Sequence, residues 1–131
     1  MTAPVPYLYF SGTAREALTF YAGVFGGEVH LLTQEQMGAR DGRADAIAHG
    51  QLAGPVTLFA SDVGSTLPRV EGLHLALLGS APPDTLRGWY AALAEGGRIL
   101  DDLQERPWGD WDGTVVDRYG MTWLIGFHPE S

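Results

Sequence analysis

The sequence predicts an α+β domain made of two tandem βαβββ modules. Three observations carry that prediction. The chain repeats itself: FYAGVFGGEVHLL from Phe20 recurs as WYAALAEGGRILDDL from Trp89, each with two aromatics, a Gly-Gly pair and an apolar run. An extended apolar run precedes each copy, Tyr7 to Phe10 and Leu73 to Leu78, and two further strand-like runs follow each. Finally, 131 residues of which 45% are apolar and 18% charged suit one domain that closes its own core without a metal or disulfide staple. A repeat of this length decides the organisation before any local signal does.

The elements follow in order. Tyr7 to Phe10 is the first strand. Thr13 followed by Glu16 has the spacing of a capping box, and Ala17, Tyr21, Val24 and Phe25 then fall on one helical stripe. Gly26-Gly27 ends that helix. Strands are predicted over Glu28 to Thr33, Asp45 to Leu52 and Val56 to Ser61, with Ala53-Gly54-Pro55 as a tight hairpin turn. The polar connection QEQMGARDGRA between the first two suits a solvent loop or a flap.

In the second module Pro82-Pro83 and then Asp84 open a helix. Its stripe is Leu86, Trp89, Tyr90 and Leu93, and Gly96-Gly97 stops it. Strands over Arg98 to Leu103, Thr114 to Arg118 and Met121 to Phe127 complete the unit, with Tyr119-Gly120 turning between the last two. The expected layout is thus one domain over 1–131: module one about 1–62, a linker about 63–71, and module two about 72–131. Two such units side by side predict a curved eight-stranded mixed sheet around a cleft.

Composition narrows the function. Eight basic against sixteen acidic residues give a net charge of −8, the wrong sign for nucleic acid or an anionic membrane surface. Cysteine is absent, which excludes thiol catalysis, Cys-ligated zinc and iron–sulfur clusters. No basic leader and no run of about eighteen apolar residues occurs, so a cytoplasmic protein is expected. There is no phosphate loop, no dinucleotide fingerprint and no nucleophile elbow. The Gly-Gly pairs end helices instead of opening them, so they make no phosphate cradle. No cofactor is expected, and methyl transfer would need a nucleotide-like site for which no motif is present.

Three segments carry a family likeness: PYLYFSGTAREALTFYAGVFGGEV at the start, AIAHGQL with VTLFASD in the middle, and WGDWDGTVVDRYGMTWLIGF at the end. In them the chain resembles the vicinal oxygen chelate superfamily, the glyoxalase/bleomycin-resistance fold, and within it the PhnB-like branch. The resemblance implies paired βαβββ modules, a homodimer and small-molecule clefts. In metal-using members four side chains hold a divalent cation that polarises substrate oxygens. The resemblance carries those four positions to Pro6, Leu58, His74 and Leu124, of which only His74 can ligate a metal. A neighbour shift to Val5, Tyr7, Thr57, Phe59, Trp123 or Ile125 does not rebuild a site, so no metal is expected.

With the family register, strand alternation turns Pro6, Leu8, Phe10, Val56, Leu58, Ala60, His74, Ala76, Leu78, Thr122, Leu124 and Gly126 to the cleft. Tyr7, Tyr9, Phe59, Trp123 and Ile125 then lie under the helices. His49 and Gln51 share a face of the third strand. Candidate ligand contacts are therefore Gln51, Leu58, His74, Trp108 and Leu124, with His49 and His74 as candidate acid/base groups. Asp117 is expected to hold backbone N–H groups of the last turn, and Asp101, Asp102, Asp110 and Asp112 to form a solvated acidic face. The favoured function is metal-independent binding of an apolar or aromatic molecule. The alternatives are a lyase, isomerase or dioxygenase using His49 and His74, and a non-catalytic structural or regulatory dimer.

Overall fold

The computed structural model describes residues 3–38, 44–64, 67 and 70–129. The chain divides into two compact units, Met1–Arg69 and Val70–Ser131. Each has the predicted βαβββ order. Unit 1 contains β1 (Tyr7–Phe10), α1 (Ala14–Phe25), β2 (Glu28–Thr33), β3 (Ile47–Ala53) and β4 (Leu58–Asp62). Unit 2 contains β5 (Leu75–Leu78), α2 (Pro83–Ala94), β6 (Arg98–Glu105), β7 (Trp111–Val116) and β8 (Thr122–Phe127). The sheets are four-stranded and mixed, ordered β1-β4-β3-β2 and β5-β8-β7-β6. In both, the first strand runs parallel to the last while the others pair antiparallel.

Each sheet has its helix on one face. Ala14, Ala17, Leu18, Tyr21 and Phe25 of α1 are buried, as are Leu86, Trp89, Tyr90 and Leu93 of α2. Burying one such large side chain contributes about 1.5–3 kcal/mol. The Gly-Gly pairs have a common cause. A Cβ on Gly27 would stand 2.5 Å from the Ala53 carbonyl oxygen, and one on Gly97 2.1 Å from that of Val116. The chain leaving each helix thus crosses the end of the third strand of its own unit with no room for a side chain. That shared close approach is the physical content of the repeat.

The helix starts differ from expectation. Thr13 occupies the N-cap of α1 without a side-chain capping bond. Asp62, at the end of β4, supplies the acceptor instead: Oδ1 receives the backbone N–H of Gly12 at 3.0 Å and of Ala14 at 2.9 Å, and Oδ2 that of Ile47 at 2.9 Å. A carboxylate distant in sequence thus ties three elements together, which local spacing does not reveal. In α2 the N-cap is Pro82 and Asp84 lies within the first turn, 3.8 Å from Arg87. Strand β7 begins at Trp111, earlier than predicted, because Trp111 stacks on Phe127 at 6.1 Å beneath the Arg87 guanidinium. The flap reading of the 34–44 connection falls partly on residues 39–43, outside the described residues.

Candidate functional site

The faces turned away from the helices are where ligand contact was expected. In unit 1 their composition corrects the predicted register. Gly50 faces α1, since a Cβ there would meet Leu18. His49 and Gln51 therefore turn away, as the sequence reading has them. Cross-strand pairing carries this across the sheet: Gln51 lies opposite Phe59, Phe59 opposite Tyr7, and Gln51 opposite His30. Tyr7, Tyr9 and Phe59 thus occupy the helix-free face, while Leu8, Phe10, Val56, Leu58 and Ala60 are buried core. Leu58, expected as a ligand contact, is only 1% exposed and packs in the interior beneath α1. Aromatic rings and aliphatic side chains have exchanged the faces assigned to them.

The helix-free face of unit 1 is divided chemically. Along β1 and β4 it is aromatic: Tyr7 and Tyr9 stack at 5.1 Å and Tyr7 meets Phe59 edge-on at 6.1 Å. Tyr7 and Tyr9 remain 38% and 41% exposed. Along β3 and β2 it is mixed, with His49 and Gln51 half-buried, His30 exposed opposite Gln51, and an exposed Leu32 opposite His49. His49 joins the two halves. Its ring lies 5.3 Å from Phe59 and 5.5 Å from Tyr7, and its Nδ1 is 2.9 Å from the Tyr7 hydroxyl. His30 has Glu28 beside it at 3.6 Å.

The same construction in unit 2 gives a different surface. Here the predicted alternation holds. Trp123 and Ile125 are buried under α2, while Leu124 pairs with Ala76 and Thr114 on the helix-free face. A Cβ on Gly126 would meet Leu78 and Asp112, so both belong to that face. Arg106 lies between two carboxylates, with its Nη2 2.7 Å from Asp112 and in a shorter contact with Asp101. Hydrogen bonds to Asp112 and then Asp101 raise the guanidinium above its ordinary pKa. Three of the four expected acidic-face residues are thus paired, since Asp110 holds His128 at 2.7 Å. Asp117 behaves as expected: Oδ1 accepts from the backbone of Tyr119 and Met121, and Oδ2 accepts from Trp123 Nε1 at 2.8 Å.

The remaining site candidates are scattered. His74 is exposed and precedes β5. Trp108, 67% exposed, lies on the turn between β6 and β7. Pairing places His74 at the Thr122 end of the sheet and Trp108 at the Phe127 end, separated by roughly 16 Å of strand. Within unit 2 the structure therefore does not bring them together. Tyr7, Tyr9 and Phe59 were missed as surface residues. The signal that could have found them was the polar pair His49 and Gln51, carried through the hairpin to β4 and on to β1.

The residues do not fit the divalent ion that metal-using proteins of this architecture hold. The four corresponding positions carry one imidazole, and the neighbouring helix-free positions in unit 1 are Tyr7 and Phe59. Among the described residues no group of three or more His, Cys, Asp and Glu side chains could hold a metal.

Residues 4–125 match the sequence profile of the Glyoxalase/Bleomycin resistance protein/Dioxygenase superfamily. Protein YjdN of Escherichia coli strain K12 is 28% identical, with 92% of this chain and 91% of that protein aligned. Protein PA1353 from Pseudomonas aeruginosa has a crystal structure that superposes with a TM-score of 0.81 at 28% identity, over 98% of both chains. A PhnB protein from Bacillus cereus superposes with a TM-score of 0.76 at 19% identity, over 96% of this chain and 99% of that one. The last likeness concerns the fold alone.

Proposed function

This chain belongs to the Glyoxalase/Bleomycin resistance protein/Dioxygenase superfamily, and from that premise we propose that it binds a small organic molecule, apolar or aromatic, without a metal. The observation that carries the reading is the unit 1 face of Tyr7, Tyr9 and Phe59, whose rings remain accessible although the opposite face of the sheet holds the core. Aromatic rings on an accessible surface offer large contact area at low entropic cost, and a ligand ring stacks on them. Gln51 and His49 supply the few polar contacts that orient such a ligand.

The donor set described above supports metal independence. A net charge of −8 disfavours nucleic acid and anionic membranes as partners, and among the described residues no helix is long and apolar enough to cross a membrane. The reading includes a cytoplasmic location and a homodimer, the latter supported by exposed apolar side chains of unit 2 such as Leu78, Ile99 and Leu100.

The test is thermal unfolding against a panel of metabolites and antibiotics, before and after chelation. A ligand that selects the folded state stabilises it by about 2.7 kcal/mol at a hundredfold excess over Kd. Aromatic members should raise Tm equally in both conditions, and Tyr9→Ala with Phe59→Ala should remove the shift. A shift abolished by the chelator would overturn metal independence. A panel without any shift would overturn the binding reading.

A further inference from the structure

We infer that the unit 1 site selects a neutral aromatic compound bearing a carbonyl oxygen, and that Tyr7 sets this preference by fixing the tautomer of His49. This inference rests on the binding reading above and names its ligand class. A neutral imidazole has one donor nitrogen and one acceptor, and the partner of one nitrogen decides the role of the other. The Tyr7 hydroxyl stands 2.9 Å from His49 Nδ1. A phenol is the better donor of the pair and an imidazole nitrogen the better acceptor, so the phenol donates and Nδ1 accepts. The imidazole proton is thereby held on Nε2, which becomes a donor on the helix-free face.

The surroundings complete the specificity. The His49 ring lies beside those of Tyr7 and Phe59, with Leu32 opposite it on β2 and the polar pair of Gln51 and His30 next along the strands. A ligand ring stacked on the aromatic half directs a substituent towards His49, where it meets the Nε2 proton. The substituent must then be an acceptor. Charge chooses among acceptors: a chain of net charge −8 repels a carboxylate at long range, whereas a ketone or amide oxygen carries no such penalty. Tyr7 thus acts as a positioning residue through its hydroxyl while its ring contributes stacking surface.

The experiment compares 2-acetylnaphthalene with 2-ethylnaphthalene, which share a ring and nearly a shape but differ in the carbonyl oxygen, by titration calorimetry on the full chain. The ketone should bind about tenfold more tightly, the factor expected of one well-made hydrogen bond. In His49→Phe the ratio should fall to about one while both rings still bind. In Tyr7→Phe, which keeps the ring and frees Nδ1, it should fall part of the way. Nitrogen-15 NMR of the wild-type imidazole should show the proton on Nε2, and this reading stands even where a variant fails to fold.

Equal affinities in the wild type, a ratio unchanged in His49→Phe, or a proton found on Nδ1 would each overturn the inference and leave the binding function intact. Absence of binding by both naphthalenes would instead overturn the function on which it rests.

Discussion

The two helix-free faces come from the same module and have the same strand order, yet they dispose of their polar groups in different ways. In unit 2 the charges are paired with each other, Arg106 with Asp101 and Asp112, and Asp110 with His128. In unit 1 Glu28 lies beside His30 at the sheet edge, while His49 is joined to Tyr7 by one hydrogen bond and its ring lies beside those of Tyr7 and Phe59. A paired charge network fixes a surface, while a donor left beside stacking rings prepares it for something else. The repeat therefore preserves architecture through its glycines and helix stripes, and the helix-free faces are where the halves have diverged.

The sharpest way to break this comparison is to test which residues of β4 are interior. Leu58→Ala should cost about 2–5 kcal/mol, the range for a buried leucine truncated in a packed core. Phe59→Ala, one position on, should cost about 1 kcal/mol or less, because its ring lies on the half-exposed face. Denaturant midpoints of the two variants check this. If Phe59→Ala proves the more damaging, the faces of unit 1 are assigned the wrong way round.

That register shows where the sequence was legible. In β8 the predicted alternation held, since TWLIGF places Trp123 and Ile125 against small or less bulky partners at 122, 124 and 126. In β1 the run YLYF is apolar throughout, so a period of two has no polar residue to orient it. Size then misleads. A tyrosine is amphipathic and its ring can lie half-exposed with the hydroxyl bonded, as in Tyr7, while the smaller Leu8 is buried. The helix stripes and Gly-Gly stops were readable because propensity and spacing agree locally. The Asp62 clamp on α1 and the Arg106 pairings were not, because each depends on long-range pairing or on a bulge in β6 that no local pattern announces.

Arg106 gives a smaller test of the same contrast. Replacing it by Met keeps much of the apolar stem but leaves Asp101 and Asp112 facing each other without their cation. The three side chains are 20%, 45% and 28% exposed in the order Arg106, Asp101, Asp112, so solvent screening keeps the loss well below that of a core truncation. Rising salt should shrink the difference between Arg106→Met and wild type by screening the attraction lost in the variant. His49→Phe in unit 1 should change stability by less than about 0.5 kcal/mol at any salt concentration. Melting of both variants at low and high salt separates the paired face from the accessible one. A large, salt-dependent loss in His49→Phe would erase the distinction.

The mildest test uses two tyrosines in opposite settings. Tyr90 of α2 is buried and donates to the Asp101 carbonyl at 2.9 Å. Burial pushes its phenol above the ordinary value, opposed by a backbone hydrogen bond from Leu103 and aided by the nearby charges of Asp102 and Asp101. A raised folded-state pKa means that the protonated phenol is favoured by folding. The associated stability is complete below the unfolded value of about 10 and is lost as pH rises through the higher folded value. Tyr90→Phe should therefore cost about 1 kcal/mol near neutrality, from the lost hydrogen bond. It should also flatten the fall in stability above about pH 10. Tyr7→Phe, whose hydroxyl lies on the accessible face, should leave the stability near neutrality nearly unchanged. Chemical denaturation from neutral through alkaline pH checks both. An alkaline slope that persists undiminished in Tyr90→Phe would show that the buried phenol is not the group responsible for it.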